Sequence, residues 1–231
     1  DNATLLTTLK TYFGYDSFRS FQQEAIEKIL NQEDLLTIMP TGGGKSLIFQ
    51  LAAVLSDGMT VVVSPLIALM KDQVNSLTQN GIPAAYINSS LNETEKTAIY
   101  NQIHNKELKL LYVSPEKLLS HGFLDFLKGL DISFFAIDEA HCISSWGHDF
   151  RPEYTKLSAL KQFFPDKSIV ALTATADKQT RSDICQQLNI SKENTFLDSF
   201  DRANLSLNVI AAKDRYKKIA QLLKKKPNES G

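Results

Sequence analysis

Thr37-Ile38-Met39-Pro40-Thr41-Gly42-Gly43-Gly44-Lys45-Ser46 is a short apolar run that breaks into a glycine loop and ends on Lys-Ser. Glycines let successive backbone N–H groups turn inward around phosphate oxygens. A lysine at 45 reaches the β- and γ-phosphates of a nucleotide, and a hydroxyl at 46 ligates Mg²⁺. The general phosphate-loop pattern has a glycine where this chain has Met39, so the match is partial and rests on its Gly44-Lys45-Ser46 ending. A plain glycine turn before a helix is the alternative; the strand–loop–helix setting favours nucleotide binding.

Working outward, Leu47 to Leu55 forms an apolar helix closed by Ser56-Asp57-Gly58, and Thr60-Val61-Val62-Val63 is a β-branched run of the kind found in parallel strands covered on both faces. Leu66, Leu69, Met70, Val74 and Leu77 line a helix that stops near Asn80-Gly81, and Ala84-Ala85-Tyr86-Ile87 is a short strand. A helix with acids in its first turn runs from Asn92-Glu93-Thr94-Glu95 to about Asn105, followed by the strand Leu110-Leu111-Tyr112-Val113. A helical patch lies around Phe123 to Leu127. Two more strands follow, Phe134-Phe135-Ala136-Ile137 and Ile169-Val170-Ala171-Leu172, the second running into Thr173-Ala174-Thr175. Strands alternating with helices predict an α/β fold, a doubly wound and mostly parallel sheet with helices on both faces.

Upstream of the loop, Leu5, Leu6, Leu9 and Tyr12 fall at helical spacing, and Ser20 is placed to cap a second helix carrying Ala25, Ile26, Ile29 and Leu30. Between them, Phe13-Gly14-Tyr15-Asp16-Ser17-Phe18-Arg19-Ser20-Phe21-Gln22 has two readings: a corner between helices with a buried aromatic, or a group that stacks on a purine and bonds its edge.

The 231 residues suffice for a full α/β core, and a 43% hydrophobic, 22% charged composition is that of an ordinary globular chain. A formal net charge of −1 supplies no overall basic field, so contact with nucleic acid has to come from a local patch. Cys142 and Cys185 lack the paired spacing of a zinc site and read as reduced thiols. No apolar run is long enough to span a bilayer, and the opening reads as a helix, not a signal peptide, so a cytoplasmic protein without membrane contact is expected.

Asp138-Glu139-Ala140-His141 directly follows the strand ending at Ile137, which puts two carboxylates at the C-terminal edge of the sheet, where ligands bind in such folds. One carboxylate that holds a metal beside another that deprotonates water is what a Mg·nucleotide site requires. Just beyond, Trp146, His148, Phe150 and Arg151 make a loop suited to stacking on unpaired bases and binding phosphate, or else a core-anchoring tryptophan in a structured turn. Past Phe200-Asp201-Arg202-Ala203-Asn204, the alternating Leu205, Leu207 and Val209 lead to the basic end Lys224-Lys225-Lys226. The expected division is therefore residues 1–204 as one domain and 205–231 as the start of a linker or second domain, cut short.

Taken in order, Met39-Pro40-Thr41-Gly42-Gly43-Gly44-Lys45-Ser46, Ser64-Pro65-Leu66, Asp138-Glu139-Ala140-His141 (a DEAH box) and Thr173-Ala174-Thr175 resemble the motifs of superfamily 2 helicases. More narrowly, Phe13-Gly14-Tyr15 with Phe18-Arg19 and Gln22, the segment Cys142 to Pro152, and Phe200-Asp201-Arg202 resemble the adenine motif, aromatic-rich loop and inter-domain passage of the RecQ family of DNA helicases. Met39 fits that family's own loop.

The resemblance implies a RecA-like P-loop domain that uses ATP and Mg²⁺ in 3'–5' unwinding of duplex DNA during recombination and repair. It implies that Tyr15, Arg19 and Gln22 hold adenine, and that Thr41, Gly42, Gly43, Gly44, Lys45 and Ser46 hold phosphates, with Ser46 and Asp138 on the metal. Lys45, Asp138 and Glu139 would be catalytic, Glu139 as base. His141, Thr173 and Thr175, with Trp146, His148, Phe150 and Arg151, would contact or sense DNA, whether single-stranded or at duplex junctions. It further implies a second RecA-like domain that completes the ATP site with an arginine finger, so these residues alone are expected to bind nucleotide weakly and not to unwind DNA. Two alternatives are a DEAD-box-like RNA helicase domain, expected to carry Asp at position 141, and a nucleotide-gated module that senses without hydrolysing.

Overall fold

The computed structural model describes residues 1–40, 44–174 and 177–198. The chain divides into two compact units, Asp1–Phe196 and Leu197–Gly231. The segment Phe200 to Lys226 lies outside the described residues, as do Thr41, Gly42, Gly43 and Thr175.

The strands are β1 (Leu35–Ile38), β2 (Met59–Val63), β3 (Ala84–Ile87), β4 (Leu110–Val113), β5 (Ile132–Ile137), β6 (Ser168–Thr173) and β7 (Thr195–Leu197). The helices are α1 (Asn2–Thr8), α2 (Gln22–Leu30), α3 (Gly44–Leu55), α4 (Ile67–Gln79), α5 (Glu93–His104), α6 (Pro115–Leu118), α7 (Phe123–Lys128), α8 (Leu160–Phe163) and α9 (Lys178–Leu188). They build a seven-stranded sheet in the order β3-β4-β2-β5-β6-β1-β7, in which β3 pairs β4, β4 pairs β2, β2 pairs β5, β5 pairs β6 and β6 pairs β1, all in parallel.

Every residue of β1, β2, β4, β5 and β6 is buried, which is why these strands read as continuous apolar runs and show no alternation. Removing each such Leu, Ile or Phe from water contributes about 1.5–3 kcal/mol, so the sheet core is the main source of stability. At its N-terminal edge, Asp34 Oδ1 accepts from Lys161 Nζ at 2.8 Å and from the Ile169 amide at 2.7 Å, tying the start of β1 to β6.

The order of the strands decides where the site forms. β6 lies between β1 and β5, and their parallel registers align Ile38 with Thr173 and Ile137 with Ala171. The loops leaving β1 and β5 therefore emerge at one edge, on either side of Thr173, with the Met39 amide donating to the Thr173 carbonyl at 3.1 Å.

Local chemistry sets the helix ends. Asn92 and Glu95 form a reciprocal capping box at α5, and Asp177 caps α9. Ser20 differs from its expected role: α2 starts at Gln22 with Phe21 in the cap position, and Ser20 has a left-handed backbone at φ 50°. The corner is stabilised by Phe21, buried against Phe196 with ring centroids 5.3 Å apart. The first helix ends at Thr8 and continues as a π-helical turn over Leu9–Phe13 to left-handed Gly14.

Gly58 opens β2 at φ 82°, where an added Cβ would lie 2.5 Å from the Asp131 carbonyl oxygen, the acceptor for the Met59 amide. Gly58→Ala is expected to destabilise the fold by about 2 kcal/mol or more, because it adds left-handed strain to a backbone clash. Urea unfolding of the two proteins measures the difference.

Candidate nucleotide and nucleic-acid site

Helix α3 begins inside the glycine loop, so Gly44, Lys45 and Ser46 occupy its first turn at the positive end of the dipole. Lys45 turns across the sheet edge: its Nζ lies 3.1 Å from Glu139 Oε1 and 3.4 Å from Asp138 Oδ1. The Asp138 amide continues the sheet by donating to the Val63 carbonyl, and the Glu139 amide donates to Asp138 Oδ1 at 2.9 Å. Glu139 stands at φ 52° and ψ 45°, a left-handed conformation that costs a residue with a Cβ about 1–2 kcal/mol.

The electrostatics follow from two carboxylates sharing one ammonium. Burial works against the charge on Lys45, but Asp138 and Glu139 outweigh it and hold the lysine above its ordinary pKa. Asp138, only 1% exposed, is pushed upward by burial and by Glu139, against the pull of Lys45. The trio retains one net negative charge and is matched to cationic company.

The segment before α2 closes the other side of the loop. Gln22 is buried, its Oε1 accepts from the Arg19 amide at 2.8 Å and its Nε2 donates to the Gly44 carbonyl at 3.0 Å. A Cβ on Gly44 would meet the ends of three flexible side chains, Arg19 Nη2 at 2.9 Å, Met39 Cε at 3.1 Å and Gln22 Nε2 at 3.2 Å, so a larger residue there would have to displace the Arg19 and Gln22 side chains. Each Gln22 amide atom keeps one further hydrogen-bonding capacity. Tyr15 is not drawn into this cluster by any contact the structure records, and is 58% exposed.

Beyond the carboxylates, a ring nitrogen of buried His141 (Nδ1) is 2.8 Å from Thr173 Oγ1 and 3.5 Å from Glu139 Oε2. Burial holds the imidazole below its ordinary pKa; Glu139 opposes that shift and His148 adds to it. The His148 ring stacks on the His141 ring, centroids 4.3 Å apart and 17° from parallel. Trp146 is 61% exposed and Phe150 41%, which excludes the reading of Trp146 as a core anchor. Arg151 pairs with Asp149 at 3.3 Å, and its amide donates to the Cys142 carbonyl.

His141, Cys142 and Asp149 have side-chain ligand atoms within 4.8 Å of one another. Burial pushes the Cys142 thiol up to about 12, its Sγ lies 3.9 Å from Asp149 Oδ2, and Asp149 also pairs with Arg151, so these groups form a hydrogen-bonded anchor at the base of the loop. Both cysteines are free and buried. Two residues escaped the sequence reading: Tyr154, whose hydroxyl donates to the Asp138 carbonyl at 3.1 Å, and Gln187, whose amide donates to the Ile143 carbonyl at 3.1 Å. Proximity of Tyr154 to the Phe150-Arg151 segment was the available signal for the first; nothing marked the second.

The hard oxygen donors Asp138 and Ser46 beside a lysine are of the type that suits Mg²⁺ and phosphate. A glycine loop facing two acids at a sheet's C-terminal edge defines a P-loop nucleoside-triphosphate site. The chain belongs to the DEAD/DEAH box helicase family, whose pattern matches residues 19–184.

It is 49% identical over 222 residues to the ATP-dependent DNA helicase RecQ of Haemophilus influenzae, covering 96% of this chain and 35% of that protein. It is 45% identical over 225 residues to RecQ of Bacillus subtilis, covering 96% and 38%. Likeness to the RecQ-like DNA helicase BLM of Xenopus laevis is 43% over 231 residues, covering 95% and 17%. The chain thus spans about a third of the length of the bacterial relatives. Its fold is that of the Pyrococcus furiosus Hef helicase domain, with a TM-score of 0.59 at 20% identity over 78% of this chain and 38% of that one. The Mycobacterium smegmatis helicase Lhr, solved with single-stranded DNA and AMP-PNP, gives 0.62 at 19% identity over 83% and 27%.

A histidine buried as the neutral ring makes folding sensitive to acid. The unfolded state takes up a proton near the ordinary value of 6.5, whereas folded His141 does so only lower, so stability falls as pH drops through that window. The slope from this group is at most about 1.4 kcal/mol per pH unit. His141→Asn, unfolded in urea at pH 7.5 and pH 5.5, is expected to lose less stability between the two than wild type.

Proposed function

We propose that this chain is the ATP-binding first motor domain of a RecQ-type DNA helicase, residues 1–204 forming that domain and 205–231 the approach to a second RecA-like domain of a longer protein. The observation that carries the reading is continuity. Lys45 sits between Asp138 and Glu139, Glu139 faces His141, and His141 stacks on His148 of a loop that exposes Trp146 and Phe150. A nucleotide site and an aromatic platform for unpaired bases are thereby joined by three side-chain contacts.

Each residue has a distinct task. Arg19 and Gln22 brace the glycine loop and, with Tyr15, form the side from which adenine is read. Lys45 exchanges its carboxylate partners for phosphate oxygens, while Ser46 and Asp138 hold Mg²⁺. The metal, when bound, neutralises charge on the transferred phosphoryl group. Glu139 orients the attacking water and accepts its proton. Thr173, on the same imidazole as Glu139, carries the state of the site into β6, toward Thr175.

DNA, single-stranded or at a duplex junction, stacks on Trp146 and Phe150 with Arg151 toward phosphate. Histidine at position 141, in contact with Glu139 and Thr173, favours this reading over a DEAD-box RNA helicase, and the placement of Glu139 favours turnover over passive sensing. Two buried free thiols fit a cytoplasmic setting. Among the described residues no helix is long and apolar enough to cross a membrane.

The test is DNA-stimulated ATP hydrolysis by the full-length protein. Lys45→Ala is expected to lower kcat/KM about a hundredfold or more. Trp146→Ala should keep nucleotide affinity within about twofold and lose the stimulation, since stacking contributes about 1–3 kcal/mol per base. Stimulation by RNA and not by DNA, or its survival in Trp146→Ala, would count against the assignment.

A further inference from the structure

Tyr154 takes no part in the chemistry above. It lies in the 3₁₀ segment Pro152–Ala159, its side chain is fully buried, and its hydroxyl donates to the Asp138 carbonyl at 3.1 Å. Burial above all, with Cys142, Asp138 and Glu139 nearby, keeps the phenol protonated well beyond its ordinary range, so the group remains a donor. The bond grips one side of the Asp138–Glu139 peptide, whose N–H on the other side donates to Asp138 Oδ1. That peptide leads into the left-handed backbone of Glu139, a conformation that persists only where the surroundings over-determine it. Without the hydroxyl, a carbonyl enclosed by the fold loses a partner on the peptide that aims the Glu139 carboxylate.

Tyr154 is also the far anchor of the exposed loop. At the near end, the Gly147 amide donates to the Ser144 carbonyl, and a Cβ on Gly147 would lie 2.7 Å from the His141 carbonyl oxygen, so the chain turns hard against the segment that carries His141. At the far end, the Arg151 amide donates to the Cys142 carbonyl and the Tyr154 amide to the Arg151 carbonyl, each at 2.9 Å. The exposed Trp146 sits within the Ser144–Gly147 turn, and the exposed Phe150 directly precedes Arg151. A strand that shifts them pulls on the Arg151–Tyr154 turn, and the side chain at its end is hydrogen-bonded to the catalytic peptide.

We propose that Tyr154 is a positioning residue that transmits occupancy of loop 144–151 to the Asp138–Glu139 peptide, a second route to Glu139 beside the His141–His148 stack. The inference rests on the functional reading above and is tested in the same full-length protein. Tyr154→Phe keeps the ring and removes only the donor. Its KM for ATP and its affinity for single-stranded DNA should stay within about twofold of wild type, while DNA-stimulated kcat falls about tenfold.

A variant with wild-type stimulated kcat, whatever its melting temperature, overturns the role of Tyr154 and leaves the functional reading intact. A wild-type protein unstimulated by DNA overturns both. Hydrogen exchange on the wild type gives an arm free of any folding defect in the variant. Adding a single-stranded oligonucleotide should change exchange in residues 138–143 and 152–157 together with 144–151, and a change confined to 144–151 overturns the proposal.

Discussion

The ammonium of Lys45 between two carboxylates is the interaction on which the rest of the site depends. It joins the loop after β1 to the loop after β5, which are separated in sequence and held at one edge only because β6 lies between them. Charges this enclosed are costly to strip of water, and removing one partner from such a group leaves another uncompensated. The arrangement is justified by what it offers a ligand. Under the proposed function Lys45 would trade its acids for phosphates, and the acids would then be left with a deficit of positive charge suited to a divalent cation. A site built from apolar residues of the same volume would hold the loops together as well and would exchange nothing.

The fold was legible because its signals are redundant. Fully buried parallel strands must be apolar along their whole length, so Thr60–Val63, Leu110–Val113 and Phe134–Ile137 announce themselves whichever face they present. Helix α9 and strand β7 were not anticipated. The helix is polar on most of its surface, and the strand has three residues, only Phe196 of them buried, so neither produces a periodic apolar pattern. Ser20 differs for a local reason: serine is a good cap wherever the backbone is extended, but its backbone here is left-handed, and Phe21, packed on Phe196, takes the cap position.

The site was legible to a different degree. Lys45 and Asp138-Glu139 are recognisable because residue type and position after a strand follow from the chemistry of phosphate and Mg²⁺. The loop leaves two readings of Trp146 open in sequence, since aromatic residues serve cores and platforms alike; its exposure removes the core reading. Gln22 shows the opposite limit. An amide that suits adenine is also one that suits a backbone carbonyl, and here both of its polar atoms already brace Arg19 and Gly44. Tyr154 is marked in sequence only by its place beside Phe150-Arg151 and Gln187 by nothing, because the main-chain carbonyls they contact have no residue identity to read.

The charge balance bears on how a strand would be sensed. With a net charge of −1 the chain has no overall cationic field of the kind that makes most nucleic-acid contacts strong and salt-dependent, and Arg151, which pairs with Asp149 at the surface, is the loop's one arginine for phosphate. What the loop does offer is ring surface at Trp146 and Phe150, and stacking requires unpaired bases, which a closed duplex does not present. In the proposed function, selectivity for separated strands would come from the kind of contact and not from its strength. The same rings lie a few residues from Glu139, whose left-handed backbone is held in place by its neighbours. Under the proposed function, ring contacts restricted to unpaired bases would let the loop report on strand state.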